Sequence, residues 1–207
     1  MKIGIVGSGN VGATLGRRFA QLGHSVAFGT RRPESAEMAE LARLPHSRVA
    51  SQAEAAQASE IIVLATPWPA TREAVQGLGN LAGKILLDCT NPLRPSLDGL
   101  EVGNNSSGGE MVAQWAAGAR VVKIFNSIGS NVMQNPDFNG QPATLFYCGD
   151  DAAAKDTARN LAAALGFDPV DAGPLRQARV LEALALLWVS LAYSGLGRDI
   201  AFRLVRR

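Results

Sequence analysis

The sequence predicts an α/β fold, a doubly wound and mostly parallel sheet with helices on both faces. Short apolar stretches of strand length alternate with helical patterns along most of the chain. Residues 60–65 form a nearly continuous apolar run, which is typical of a strand buried on both faces of a parallel sheet. No internal repeat and no Pro/Ser-rich linker interrupts the alternation, so we expect one compact unit.

The first part of the chain supplies most of the predicted sheet. Strands are predicted at 2–6, 25–29, 48–50, 60–65, 84–88 and 120–125. Helices are predicted at 13–22, 34–44, 70–78 and 109–117, with a short Ala/Gln/Glu-rich helix before the fourth strand. Gly23 ends the first helix, and Pro33 sets the start of the second with Glu34 in its first turn.

A small C-terminal α/β extension follows. Strands are predicted at 143–148 and 168–171, on either side of an Ala-rich helix at 152–165 that Asp150 caps and Gly166 ends. A turn at 172–174 then leads into a long helix from 175 to 193. That helix is apolar nearly all round, which predicts two buried sides. One side faces its own subunit, and the stretch from Leu181 to Tyr193 is predicted to form a homodimer interface.

Composition and charge argue against several classes of protein. The formal net charge is +2 and no long single-sign run occurs, so a nucleic-acid partner is not expected. Cys89 and Cys148 lie far apart without His or Cys companions at ligand spacing, so no metal site and no disulfide framework is predicted. The apolar stretch 183–193 is too short to span a bilayer, and no signal-peptide pattern precedes the first strand. We expect a cytoplasmic protein without a membrane partner.

A glycine-rich turn connects the first strand to the first helix. Gly7, Gly9 and Gly12 form the pattern G-x-G-x-x-G directly after the strand. The first glycine turns the chain sharply, the second lets backbone amides approach a pyrophosphate, and the third packs the helix against the sheet. In this context the pattern predicts a dinucleotide-binding (Rossmann) fold.

The end of the second strand indicates which dinucleotide is bound. NAD-binding folds usually place an Asp or Glu there to accept hydrogen bonds from the adenosine ribose. This chain has Thr30, Arg31 and Arg32 instead. A guanidinium pairs with a 2′-phosphate, which a carboxylate would repel, so the prediction is NADP(H).

Ligands of open parallel sheets bind at the carboxyl ends of the strands, which selects three further loops. The loop after the fourth strand contains Ala65, Thr66, Pro67 and Trp68. The substrate pocket is predicted from the two following loops, which contain Asn91, Pro92 and Leu93, and Asn126, Ser127 and Ile128. Together these loops are expected to surround the nicotinamide and a small-molecule redox acceptor.

Few proton donors lie at this edge of the predicted sheet. His24 and His46 precede strands and therefore lie at the opposite edge. Lys123, near the end of the sixth strand, is the remaining candidate, either as a paired side chain or as a catalytic group. Hydride transfer between two ring cofactors needs mainly apposition. We therefore expect that the hydride acceptor is a ring cofactor and that no side chain is catalytic. Two alternatives stay open. One is an NADPH-dependent reductase of a flavin, quinone or small carbonyl compound, and the other is a nonenzymatic NADP(H) sensor.

The chain resembles the NADPH:8-hydroxy-5-deazaflavin oxidoreductases, also called coenzyme F420-dependent NADP reductases. The resemblance is carried by GSGNVG at 7–12, GTRR at 29–32, TPW at 66–68, CGDD at 148–151 and DAGPL at 171–175. The cytosolic reductase domains of membrane metalloreductases are also similar, especially around VKIFNS at 122–127. Where the family pattern has a further basic residue beyond the arginine pair, this chain has Ser35.

The resemblance implies roles for particular residues. The pyrophosphate would be cradled by Ser8, Gly9, Asn10 and Val11. The 2′-phosphate would be held by Thr30 and Arg31, and the nicotinamide would be flanked by Pro67 and Trp68. A deazaflavin, coenzyme F420, would stack on the nicotinamide as co-substrate. Residues 1–125 would form the NADP-binding core, and residues 126–207 an extension that completes the substrate pocket and the dimer interface.

Overall fold

The strands of the chain form one eight-stranded sheet. The computed structural model describes all 207 residues. The strands are β1 Lys2–Val6, β2 Ser25–Thr30, β3 Ser47–Ser51, β4 Ile61–Leu64, β5 Ile85–Asp88, β6 Arg120–Lys123, β7 Thr144–Gly149 and β8 Asp168–Asp171. Their order is β3-β2-β1-β4-β5-β6-β7-β8. All neighbours are parallel except β6 and β7, which are antiparallel. The predicted doubly wound fold is confirmed.

Helices connect the strands on both faces. They are α1 Asn10–Gln21, α2 Ala36–Ala42, α3 Gln52–Gln57, α4 Trp68–Gln76, α5 Gly108–Trp115, α6 Ser130–Gln134, α7 Ala152–Ala164 and α8 Ala178–Leu191. A 3₁₀ turn, Leu175–Gln177, precedes α8, and a π-helical turn, Ala192–Leu196, follows it. The sequence did not predict α6, because five residues are too few to show a helical period.

Two apolar layers cover the two faces of the sheet. One contains Leu15 and Phe19 of α1 together with Leu161 of α7. The other contains Val112 of α5 and Leu181 of α8. The strands β4 and β5 are buried along their whole length, and all their residues are apolar except Asp88 at the end of β5.

Two predicted helix starts need correction. Asp151, and not Asp150, caps α7, with its carboxylate accepting a hydrogen bond of 2.7 Å from the amide of Ala154. The carboxylate of Asp150 accepts from the amide of Leu175 instead, at 2.8 Å, where the C-terminal helical segment begins. Ser35 caps α2, so Glu34 precedes the helix and does not lie in its first turn.

The C-terminal helical segment is longer than predicted. The 3₁₀ turn, α8 and the π-helical turn join into 22 residues, of which an 18-residue stretch has a mean hydropathy of 1.4, and by length and composition this segment would suffice to cross a membrane. The expectation of too short an apolar stretch concerned residues 183–193 alone, and the whole segment is longer. Core helices of soluble proteins meet the same criterion. Here Leu181, Glu182, Ala185 and Trp188 are buried against the rest of the fold.

Candidate active site

A cleft of about 750 Å³ opens at the carboxyl ends of the parallel strands. The predicted cofactor residues that line it are Gly7, Ser8, Gly9, Asn10, Val11, Thr30, Arg31, Arg32, Ala65, Thr66, Pro67 and Trp68. Of the predicted substrate residues, Asn91 lines the cleft, whereas Pro92, Leu93, Asn126, Ser127 and Ile128 are absent from its lining. The sheet therefore gathers the loops after β1, β2, β4 and β5 around one cavity.

The glycine turn leaves a cradle at the start of α1. Gly7 has φ +101° and lies so close to the next loop that a Cβ would be 2.5 Å from the carbonyl oxygen of Ala65. Gly9 precedes α1. The first backbone amides of any helix lack intrahelical acceptors, and here no side chain caps them. A Cβ on Gly9 would meet no atom within 4 Å. Uncapped amides beside open space suit a pyrophosphate.

Gly12 has a different role from Gly9. It lies inside α1 and outside the cleft lining, and a Cβ there would be 1.8 Å from the carbonyl oxygen of Gly7. Only glycine allows the helix to pack this closely on the turn. Gly12 therefore shapes the cradle without lining it.

The arginine pair at the end of β2 is free to bind an anion. The hydroxyl of Thr30 accepts a hydrogen bond of 3.1 Å from the amide of Arg32, which fixes the turn. Arg31 and Arg32 are exposed at the cleft, and neither forms an ion pair within the chain. These residues fit the 2′-phosphate of NADP(H).

Arg31→Glu is expected to reverse the preference for NADPH. We expect the native protein to bind NADPH at least about tenfold more tightly than NADH, a difference of about 1.4 kcal/mol. The substitution replaces a phosphate-binding group by one that repels the phosphate. Titration calorimetry with both nucleotides measures the effect, and Arg43→Glu, an exposed arginine at the end of α2 outside the cleft, is the control. Equal affinities in the native protein would contradict the NADP assignment.

The sequence analysis missed part of the lining. Ala70, Glu73, Ala74 and Gly77 recur at helical spacing and place one face of α4 on the cleft. Gln52 follows β3 and Cys89 follows β5. Applying the strand-end rule to every strand would have found these last two residues. Arg198 also lines the cleft, and no local pattern marks it.

The loop after β4 is held rigidly. The hydroxyls of Thr66 and Thr71 are hydrogen-bonded at 2.9 Å, and Thr71 also donates to the carbonyl oxygen of Pro67 at 3.1 Å. The half-buried ring of Trp68 packs on Trp115 with ring centroids 5.5 Å apart. A fixed, largely apolar wall is suited to orienting a planar ring.

Asn91 is supported by the loop after β6. Its amide nitrogen donates to the carbonyl oxygen of Asn126 at 2.7 Å, and the amide of Asn126 donates back to Asn91 at 3.0 Å. Phe125 adopts a left-handed φ of +62° and, with Ile128, joins the core. The loop therefore turns inward, which explains why Asn126, Ser127 and Ile128 lie behind the cleft wall. Their predicted contact with substrate stays a prediction.

Lys123 is a buried, fully paired side chain. Its ammonium lies 2.8 Å from the carboxylates of both Asp88 and Glu182 and donates to the carbonyl oxygen of Thr90 at 2.7 Å. Glu182 also accepts from the amides of Gly108 and Gly109, each at 2.9 Å. This Lys123 cluster links β5, β6, α5 and α8 beneath the cleft.

The electrostatics of the cluster keep the lysine charged. Burial alone would lower the pKa of Lys123, but Asp88 and Glu182 outweigh it and hold that pKa above its ordinary value. Burial raises the pKa of Glu182, and Lys123 counteracts part of that rise. An inaccessible ammonium of raised pKa is a poor proton donor at neutral pH.

No other titratable group at the nicotinamide end offers a proton readily. Burial raises the pKa of the Cys89 thiol. His24 and His46 directly precede β2 and β3, at the opposite edge of the sheet. No group of three His, Cys, Asp or Glu side chains could hold a metal ion, and both cysteines are free and buried.

Comparisons with known proteins find relatives along the whole chain. The sequence model of the family described as "NADP oxidoreductase coenzyme F420-dependent" matches residues 2–92. The F420-dependent NADP reductase of Methanothermobacter marburgensis is 30% identical, covering 99% of this chain and 98% of that protein. The rat metalloreductase STEAP3 is 34% identical over 89% of this chain, which spans 36% of that protein's length.

A solved structure extends the match to the whole fold. A protein from Arthrobacter, assigned as an F420-dependent NADP reductase, superposes with a TM-score of 0.91 at 34% identity over 100% of both chains. The identity and the full-length coverage of the Methanothermobacter reductase show common ancestry along the entire chain. The chain belongs to the family of coenzyme F420-dependent NADP oxidoreductases.

Proposed function

We propose that this protein is an oxidoreductase that transfers a hydride between NADP(H) and coenzyme F420, an 8-hydroxy-5-deazaflavin. One observation carries the proposal: the cleft has anion-binding groups at its adenosine end, whereas its nicotinamide end has apolar groups, amide groups and one arginine but no His, Lys or Tyr. The two named relatives of matching length support the choice of acceptor. Ring-to-ring transfer needs no protein acid, in contrast to carbonyl reduction.

The residues of the chain would bind and orient the two rings. The uncapped start of α1 and Gly9 would hold the pyrophosphate, and Arg31 and Arg32 the 2′-phosphate. NADP(H), when bound, supplies the nicotinamide carbon that gives or receives the hydride. Pro67 and Trp68 would fix that ring on one side and Asn91 would border the acceptor space. Solvent can supply any proton that the acceptor requires.

A second candidate is the same chemistry with a flavin as acceptor. The observation that favours it is the apolar and amide-lined part of the cleft near Pro67, Trp68 and Asn91, which would accept a flavin ring as it would a deazaflavin. The two functions share the NADP(H) site and differ in the second ring. They are therefore distinguished by the acceptor alone.

The test is NADPH oxidation under anaerobic conditions with coenzyme F420, flavin mononucleotide, a quinone, a ferric chelate or a small ketone as acceptor. We expect the highest kcat/KM with coenzyme F420. A higher value with flavin mononucleotide would favour the second candidate. Tight binding of NADPH without oxidation by any of these acceptors would contradict both and indicate a nonenzymatic NADP(H) sensor.

We further propose a cytoplasmic homodimer. Val180, Leu187, Tyr193 and Leu196 are exposed apolar side chains of the C-terminal helical segment. Exposed apolar side chains grouped on one element are typical of an interface. The proposed interface lies on the stretch from Leu181 to Tyr193, so residues 126–207 would supply the dimer contact and residues 1–125 the NADP-binding core.

Leu187→Glu is expected to dissociate the dimer. Leu187 is 49% exposed, so the charge would be tolerated in a monomer but buried unpaired in an interface. Trp188 is a poor site for this test because it is buried and its ring nitrogen donates to the carbonyl oxygen of Ile200 at 2.8 Å. Light scattering measures the mass, with Leu22→Glu as control, since Leu22 is similarly exposed on another element. A monomeric native protein at micromolar concentration would contradict the proposal.

A further inference from the structure

One cationic side chain reaches the cleft from outside the sheet. Arg198 follows the π-helical turn and lines the same cleft as Trp68, Thr90 and Asn91. Its guanidinium takes part in none of the ion pairs of the chain, and the backbone carbonyl of Arg198, not its side chain, accepts a hydrogen bond from Asn131. An unengaged guanidinium in a cleft is matched to phosphate and carboxylate oxygens.

The backbone around Arg198 is anchored. Gly195 and Gly197 have φ values of +111° and +72°, which turn the chain back from the helix toward the cleft. The amide of Asn131 donates to the carbonyl oxygen of Arg198 at 2.9 Å, and the ring nitrogen of Trp188 donates to that of Ile200 at 2.8 Å. The backbone that carries the side chain is therefore held in place before a ligand binds, which reduces the entropy lost on binding.

Neighbouring acids leave the charge of Arg198 uncompensated. The carboxylate of Asp199 accepts a hydrogen bond from the amide of Asn131 and forms no ion pair with Arg198. Glu73 is the acidic residue that lines the cleft, and it also forms no ion pair. The positive charge is therefore available to an anionic ligand.

The sheet order separates Arg198 from the other anion-binding groups. Asn131, which holds the backbone of Arg198, lies in α6, the helix that follows β6 after the loop 124–129. The strands β1, β4 and β5 lie between β6 and β2, the strand that presents Arg31 and Arg32. Arg198 therefore approaches the cleft from the side of the nicotinamide end. Its guanidinium is separate from the groups proposed to hold the pyrophosphate and the 2′-phosphate.

We propose that Arg198 is a specificity residue that binds a phosphate or carboxylate group of the ligand at the nicotinamide end of the cleft. The proposal rests on the function proposed above, and it assigns an anionic substituent to the hydride acceptor. The pyrophosphate of NADP(H) is the other group with phosphate oxygens that Arg198 would bind. The attachment of Arg198 to α6, the helix that follows β6, favours the acceptor.

The test compares two ligands that share one ring. Flavin mononucleotide and riboflavin differ by a phosphate, and their binding to the NADP⁺-saturated protein is measured by fluorescence titration. We expect the native protein to bind flavin mononucleotide about tenfold or more tightly than riboflavin, because the phosphate would form a charge-assisted hydrogen bond with Arg198. Arg198→Gln should abolish that preference and Arg198→Lys should retain part of it. Arg206→Gln, an exposed arginine outside the cleft, should leave it unchanged.

A second titration identifies the source of the anion. We expect the Kd of NADPH to stay within about twofold in Arg198→Gln if the acceptor carries the anion. An increase of about tenfold in that Kd, with the flavin preference kept, would assign the anion to the pyrophosphate instead. If neither binding measurement changes by more than about twofold, the proposal is wrong. Both measurements are of binding, so a failure of hydride transfer leaves this test intact.

Discussion

Lys123→Met is expected to lower the free energy of unfolding by about 3–5 kcal/mol. The substitution leaves the carboxylates of Asp88 and Glu182 buried at the position where the ammonium balanced them. It also removes the donor to the carbonyl oxygen of Thr90. Removing one partner of a buried pair costs more than the pair itself contributes, because a charge is left without compensation. Urea unfolding followed by circular dichroism measures the change.

The matched control replaces the whole cluster. Lys123→Met combined with Asp88→Asn and Glu182→Gln removes every charge while keeping similar volumes, so it should recover most of the lost stability. In the folded fraction of Lys123→Met, turnover should stay within about tenfold, since loss of a true general acid typically costs about 10²–10⁴. A stable variant with a thousandfold lower rate would contradict the structural role of Lys123 and favour a catalytic one.

Local patterns explain which parts of the site could be predicted. The glycines at 7, 9 and 12 and the arginines at 31 and 32 act within a few residues of the strand that presents them. The alternation of strands and helices fixes which loops lie at the carboxyl edge of the sheet. The position of each of these groups therefore follows from local sequence and the known rules of parallel sheets.

Contacts between distant segments explain what could not be predicted. Glu182 of α8 contacts both Lys123 of β6 and the first amides of α5. No pattern in the sequence indicates that Glu182 and Lys123 form an ion pair. Asn126 follows a strand as predicted, yet the left-handed φ of Phe125 turns it behind Asn91. Arg198 reaches the cleft only because Asn131 and Trp188 hold the segment around it. Tertiary packing decides all three positions.

Gly12→Ala is expected to abolish measurable NADPH binding at micromolar nucleotide, a loss of about a hundredfold or more in affinity, or about 2.7 kcal/mol. A Cβ at this position would lie 1.8 Å from the carbonyl oxygen of Gly7, and a backbone oxygen cannot move aside as a flexible side chain can. Either α1 shifts away from the turn or the turn deforms. Both changes displace the amides that are proposed to hold the pyrophosphate, and overpacking of this kind also costs about 1–3 kcal/mol of stability.

Gly9→Ala separates binding from folding at the same turn. A methyl group on Gly9 would meet no atom of the protein within 4 Å, so the melting temperature should stay at the native value. The same methyl group would occupy the space through which the pyrophosphate approaches the amides, so NADPH affinity should fall by about tenfold or more. Titration calorimetry and thermal melts on both variants measure the two effects. If Gly9→Ala bound NADPH with native affinity, the cradle at the start of α1 would not be the pyrophosphate site, and Gly12→Ala would then report only on packing.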